Sequence, residues 1–92
     1  MALALCGCGS LAPVAPAVTP AMAASARTDI GVLELGRLIY TTRCTECHNA
    51  ERVGRYSRSQ WMGILPRMAV DARLNEAQDR AVRAYVMALS AD

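Results

Sequence analysis

The uneven distribution of charge along the chain limits its fold more than any other feature. Residues 1–26 contain no charged side chain, whereas residues 27–92 hold all ten arginines and all eight carboxylates. Only this second stretch has the mixed composition of a folded domain, so we expect the domain to span residues 27–92. A domain of that size buries too little apolar surface to be stable without a disulfide, a metal or a large cofactor.

Residues 1–26 have the apolar, alanine-rich character of an export signal or lipoprotein leader. They lack the basic start of a complete signal peptide, and we expect the true start of the protein to lie upstream of Met1. No uninterrupted apolar run reaches the roughly 20 residues that a membrane-spanning helix needs. The leader therefore predicts an exported, periplasmic protein.

Two kinds of processing fit this leader. Small side chains at Ala24 and Ala26, or at Ala21 and Ala23, suit cleavage by a signal peptidase, which would leave the domain free. In the alternative, residues 5–8 resemble a bacterial lipoprotein box. Lipid on Cys8 would then tether the chain to a membrane, with the following Ala/Pro stretch as a spacer.

Three segments of the domain have the apolar periodicity of helices, and none alternates for long enough to be a strand. The first runs from about residue 28 to residue 43, with Asp29 or Thr28 as its cap. The second begins near Ser57 with capping-box spacing, and Pro66 is expected to bend or end it. The third begins at Asn75, again with capping-box spacing. The sequence therefore predicts an all-α fold of about three helices in one domain.

Each predicted helix has an apolar face that we expect to lie in the core. The residues of these faces are Ile30, Leu33, Leu38 and Tyr40 in the first helix, Trp61, Ile64 and Leu65 in the second, and Ala77, Ala81, Val82, Tyr85, Val86 and Leu89 in the third. The polar residues between them are expected to face water.

A C-x-x-C-H motif, formed by Cys44, Cys47 and His48, follows the first predicted helix. Two cysteines three residues apart lie on one face of a helical turn, where they can form thioethers with the two vinyl groups of a haem. The adjacent histidine then directs its imidazole to the iron. Among short cysteine patterns this one is typical of c-type haem attachment. The predicted cofactor is one covalently bound haem c, which would also stabilise the small domain.

Other functions of the same residues fit less well. A thioredoxin-like dithiol requires a surrounding βαβ pattern, and a zinc site requires a fourth ligand beyond two cysteines and one histidine. The net charge of +2 contains no basic run, so the composition gives no indication of nucleic-acid binding.

The second axial ligand of the iron is expected to be a methionine. His48 is the only histidine, so two histidines of one chain cannot hold the iron, and methionine is a common partner that raises the reduction potential. The candidates are Met62, Met68 and Met87. Met68 is favoured because it follows Pro66, where we expect the chain to leave the helix; Met62 is the alternative. Met87 lies beside an apolar stripe, where methionine usually packs.

Residues 36–89 resemble the small class I cytochrome c domains of bacteria. The matching pattern is G-x-x-x-Y-x-x-x-C-x-x-C-H over residues 36–48, then a methionine-bearing segment and a last helix with a tyrosine. The resemblance implies a small cytochrome c fold, in which Gly36 and Tyr40 pack against Tyr85. A Gly-Pro pair that often follows the motif in the family is missing from residues 49–54, so the acceptor for the His48 N–H is unassigned.

The resemblance implies a one-electron carrier and not an enzyme, since an iron with protein ligands on both faces has no site for substrate. Its partners would be redox proteins that dock transiently, and we expect a monomer. The alternative is a five-coordinate haem that binds or senses a small gas. Four arginines near the motif suit the haem propionates or form a solvated surface; they are Arg52, Arg55, Arg58 and Arg67.

Overall fold

The structure is a computed structural model, which describes residues 14–43 and 52–90. These residues form four α-helices and one short 3-10 helix, with no strand among them. The elements are α1 (Pro20–Ala26), α2 (Ile30–Thr42), the 3-10 helix (Val53–Arg55), α3 (Arg58–Asp71) and α4 (Glu76–Leu89). For the described residues the prediction of an all-α fold is confirmed, and the cytochrome c fold itself stays a prediction.

The three predicted helix starts are confirmed, because each is fixed by a local side-chain cap. The Asp29 carboxylate accepts a hydrogen bond from a backbone N–H in the first turn of α2. Ser57 and Gln60 form a capping box at α3, with bonds of 3.2 and 2.9 Å, and Asn75 and Gln78 form another at α4. Each cap satisfies backbone N–H groups that have no partner inside the helix.

Pro66 does not end the second predicted helix, so that part of the prediction is wrong: α3 continues to Asp71. A proline inside a helix removes one backbone hydrogen bond and crowds the preceding turn, yet the residues after it can keep helical geometry. Met68 therefore lies within the last turn of α3 and not in a loop beyond it. This corrects the expectation that a loop presents Met68 to the iron.

The actual end of α3 is a Schellman motif. Leu74 N–H donates to the carbonyl of Ala69 at 2.9 Å, and Arg73 N–H donates to that of Val70 at 3.1 Å. Arg73 adopts the left-handed conformation, with φ of 57°, that this motif requires. The reversal sets the course of the chain into α4.

Helices α2 and α4 form the principal helix pair, and they approach most closely at Gly36. A Cβ atom built on Gly36 would lie against the carbonyl oxygen of Ala81 and 2.7 Å from the Cβ of Tyr85. The rings of Tyr40 and Tyr85 pack with centroids 6.4 Å apart, and Tyr40 also meets the edge of Trp61 at 6.1 Å. The expected contact of Gly36 and Tyr40 with Tyr85 is present.

The buried face of α2 is rotated from the predicted one. Leu33 and Tyr40 are buried as expected, but Ile30 is exposed and Leu38 is 58% exposed. Ile39 takes the buried place instead, because one residue along a helix turns the side chain by about 100°. In α4 the predicted core residues Ala81, Val82, Tyr85 and Val86 are buried, whereas Ala77 is exposed.

Residues 14–26, which we name the N-terminal arm, consist of a segment without regular secondary structure (residues 14–19) followed by α1. Ala15 is buried in the same core cluster as Tyr40 and Trp61, and α1 contacts both α2 and α4. Residues 1–13 of the predicted leader lie outside the described residues. In the described part of the chain, no helix is long and apolar enough to cross a membrane.

Candidate functional site

The three motif residues, Cys44, Cys47 and His48, lie in residues 44–51, outside the described part of the chain. Their roles therefore stay predictions. The structure does describe the residues that flank this segment, Arg43 before it and Arg52 after it. The contacts near these two residues show where the ends of the segment are attached to the domain.

The residue before the motif is fixed at the C-terminal end of α3. Arg43 follows α2, and its guanidinium Nη2 donates to the carbonyl oxygen of Ala72 at 2.7 Å and more weakly to that of Arg73 at 3.4 Å. The last carbonyls of a helix have no partner within it, and an arginine that donates to them also suits the negative end of the helix dipole. Arg43 thus joins the end of α2 to the end of α3.

The described residues that follow the motif contact the first turn of α3. The carbonyl oxygen of Val53 accepts a hydrogen bond from Trp61 Nε1 at 2.8 Å, and both side chains are buried. The rings of Tyr56 and Trp61 pack nearly perpendicular to each other, with centroids 5.2 Å apart. A buried indole N–H requires such an acceptor, so this bond fixes the 3-10 helix against α3.

These two flanking contacts, Arg43 to Ala72 and Val53 to Trp61, lie at opposite ends of α3. They are separated by about three helical turns, or about 16 Å. Between them runs a stripe of side chains at helical spacing, which we name the inner face of α3. Its residues are Trp61, Leu65 and Met68 of the helix, and Ala72, which caps the C-terminal end of the helix. The first, second and fourth are buried, and Met68 is half-buried against the core.

The three candidate methionines differ in their relation to this face. Met68 lies on the inner face, between the flanking contacts. Met62 follows Trp61 by one residue, so its side chain is turned about 100° from that of Trp61, and it is 63% exposed. Met87 belongs to α4, where it is half-buried against the core. Met68 is therefore the candidate that shares a helix face with the two contacts that flank the motif.

The arginines near the motif have distinct surroundings. Arg58 donates to the carbonyl oxygens of Met87 at 3.2 Å and Ser90 at 3.4 Å, so it contacts the C-terminal end of α4. The Arg55 guanidinium lies 5.6 Å from the centre of the Tyr56 ring. Arg52 and Arg67 are exposed. A role for any of them toward haem propionates stays a prediction, and Arg43 is the arginine whose contact sequence reasoning missed.

The core beside the inner face holds one titratable group with a perturbed pKa. The Tyr85 hydroxyl donates a hydrogen bond to the Pro16 carbonyl at 2.6 Å, and the side chain is buried. Burial raises the pKa of Tyr85 above its ordinary value of 10.0, while the nearby Arg37 guanidinium acts in the opposite direction. The phenol is therefore neutral at physiological pH.

The donors of this chain fit the chemistry of haem c. Two thiols, an imidazole and a thioether are the groups that attach such a haem and ligate its iron. On the inner face, Trp61 and Leu65 are already packed in the core, and Met68 is the half-buried side chain that keeps accessible surface for a ligand.

Comparison of the chain with protein-family models, with curated protein sequences and with solved structures finds no match. Function must therefore be inferred from the motif and from the geometry of α3.

Proposed function

We propose that the protein is an exported, single-haem c-type cytochrome that carries one electron at a time between periplasmic redox proteins. Cys44 and Cys47 attach the haem, and His48 and Met68 ligate the iron. The observation that carries this proposal is the position of Met68 on the inner face of α3, between the two contacts that flank the C-x-x-C-H motif.

The described residues support an axial role for Met68 in two ways. It projects from a helix whose ends are tied by Arg43 and Trp61, so the thioether starts from a fixed backbone. It is also only half-buried, which leaves part of the side chain accessible to a ligand. A thioether ligand favours the reduced state and raises the reduction potential.

When bound, the haem supplies a reversible one-electron change at its iron. The chain's part is to hold the ligands in place with little movement between the two oxidation states. The rings of Tyr40 and Tyr56 each pack nearly perpendicular to that of Trp61 and provide a rigid support for the start of α3. Redox partners would dock transiently, over a small interface.

A second function, a five-coordinate haem that binds a small gas, is favoured by one observation. Met68 lies inside a helix and contacts the core cluster, where a methionine can serve packing alone. If Met68 only packs, the iron keeps an open position for a gas.

Optical spectra of three proteins separate the two functions: the wild type, Met68→Ala and Met62→Ala, all produced with cytochrome c maturation machinery. Met62→Ala is the matched control, because it removes the same side chain from the exposed side of the same helix. We expect a low-spin wild type, with a methionine–iron charge-transfer band that only Met68→Ala abolishes. The reduction potential should fall in Met68→Ala and stay near the wild-type value in Met62→Ala.

The contrary results are equally distinct. A high-spin wild type that binds carbon monoxide without loss of a ligand supports gas binding and rejects the electron carrier. A band that disappears in Met62→Ala and persists in Met68→Ala rejects the ligand assignment alone.

A further inference from the structure

The N-terminal arm makes hydrogen bonds to three separate parts of the domain. The carbonyl oxygen of Ala15 accepts from Arg37 Nε of α2 at 3.0 Å, and that of Pro16 accepts from the Tyr85 hydroxyl of α4. The carbonyl oxygen of Val14 accepts from the backbone N–H of Val53 at 3.1 Å. The arm therefore meets α2, α4 and the 3-10 helix at once.

The arm also contributes apolar surface to the core. Ala15 is only 6% exposed, and Val18 packs against the core cluster. Between them, Ala17 is exposed, so the arm has one side against the core and one side toward solvent. This pattern is that of a segment seated on a domain and not of a free tail.

Local hydrogen bonds stabilise both ends of α1, between the start of the arm and α2. The Thr19 hydroxyl accepts from Met22 N–H at 3.1 Å and caps α1. At the other end, Arg27 adopts φ of 54°, and Thr28 N–H donates to the carbonyl of Ala23 at 3.1 Å in a Schellman motif. A processing site at Ala24 or Ala26 would fall inside this helix or at its last residue.

We infer that the N-terminal arm remains in the mature protein, so that export removes no residue after Pro13. The inference rests on the proposed export of the chain. Loss of residues 14–26 would leave the buried Val53 N–H and the Tyr85 hydroxyl without their acceptors and would uncover the core at Ala15. Removal of the leader must then occur upstream of Val14, in the region that contains Cys8.

Intact mass spectrometry of the full chain, expressed in a host that exports and matures c-type cytochromes, tests the inference directly. We expect a mature chain that begins at or before Val14, with or without lipid on Cys8. A mature chain that begins at Ala15 or later overturns the inference. If such a chain still carries haem, the proposed function survives. A chain that keeps the arm but carries no haem supports the inference and rejects the proposed function.

A matched pair of substitutions tests whether the arm is seated on the domain. Ala15→Glu places a charge in the core, whereas Ala17→Glu places the same charge on the exposed side of the same segment. We expect the unfolding equilibrium constant to rise at least about tenfold in Ala15→Glu only. Equal unfolding midpoints for the two variants overturn the inference. If Ala15→Glu yields no folded protein, Ala15→Ser against Ala17→Ser provides the same comparison.

Discussion

Replacement of Gly36 by alanine tests the close approach of α2 and α4, on which the whole helix arrangement depends. The added methyl group would lie against the Ala81 carbonyl oxygen, 2.8 Å from the Ala81 carbonyl carbon and 2.7 Å from Tyr85 Cβ. Two of these atoms belong to the backbone of α4, so no rotation of a flexible side chain can relieve the overlap. The two helices must separate.

The expected loss of stability is the difference between two effects. Alanine is preferred to glycine inside a helix by about 1 kcal/mol, which favours the variant. An extra carbon in a packed core typically costs about 1–3 kcal/mol, and an overlap with backbone belongs at the upper end. We therefore expect Gly36→Ala to lower the free energy of unfolding by about 2 kcal/mol, a large part of the total for a small domain.

Gly63→Ala is the matched control, because Gly63 lies inside α3 and a Cβ atom there meets nothing within 4 Å. It should raise the free energy of unfolding by up to about 1 kcal/mol through helix propensity alone. Denaturant unfolding of both haem-loaded variants, followed by far-ultraviolet circular dichroism, measures the difference. A Gly36→Ala protein as stable as Gly63→Ala would refute the close helix contact.

Two further predictions concern the residues around the core. Trp61→Phe removes the indole donor and leaves the Val53 carbonyl oxygen without its partner. The free energy of unfolding, measured by denaturant titration, should therefore fall by about 1–3 kcal/mol. An unchanged unfolding midpoint would contradict the role of this hydrogen bond. The raised pKa of Tyr85 means that the folded state holds the phenol proton more tightly than the unfolded state, so this contribution is fully present below pH 10.0 and is lost as the pH rises through the folded-state pKa. As the pH rises above about 9, the unfolding midpoint of the wild type should therefore fall more steeply than that of Tyr85→Phe, and parallel curves would contradict the assignment.

The helix starts could be predicted from the sequence because their causes are local. The capping boxes at Ser57 and Asn75 need only a side chain and the backbone three residues away. The end of α3 is harder to predict, because Pro66 does not by itself stop a helix. The stop comes from the left-handed turn at Arg73, and an arginine carries no sequence signal for that conformation.

Apart from the packing of Gly36 and Tyr40 on Tyr85, which the family resemblance implied, features that depend on contacts between distant residues could not be predicted. Leu38 and Ile39 are equally apolar neighbours, and only the packing of α2 on α4 decides that Ile39 is buried. The alanine- and proline-rich composition of residues 14–26 suits a leader as well as an arm, and its long-range hydrogen bonds have no local signature. The sequence favours Met68 as a ligand because a loop is expected there. The structural support for Met68 comes instead from the contacts of Arg43 and Trp61 that flank the motif.

The mass of the unfolded, matured chain tests the central claim most directly. Protein produced with cytochrome c maturation machinery should carry one haem that survives denaturation, because Cys44 and Cys47 hold it by thioether bonds. The same measurement on Cys44→Ser/Cys47→Ser should show the bare polypeptide. A wild-type chain that emerges from the same machinery with the mass of the polypeptide alone would contradict the assignment of the motif, and with it the proposed function.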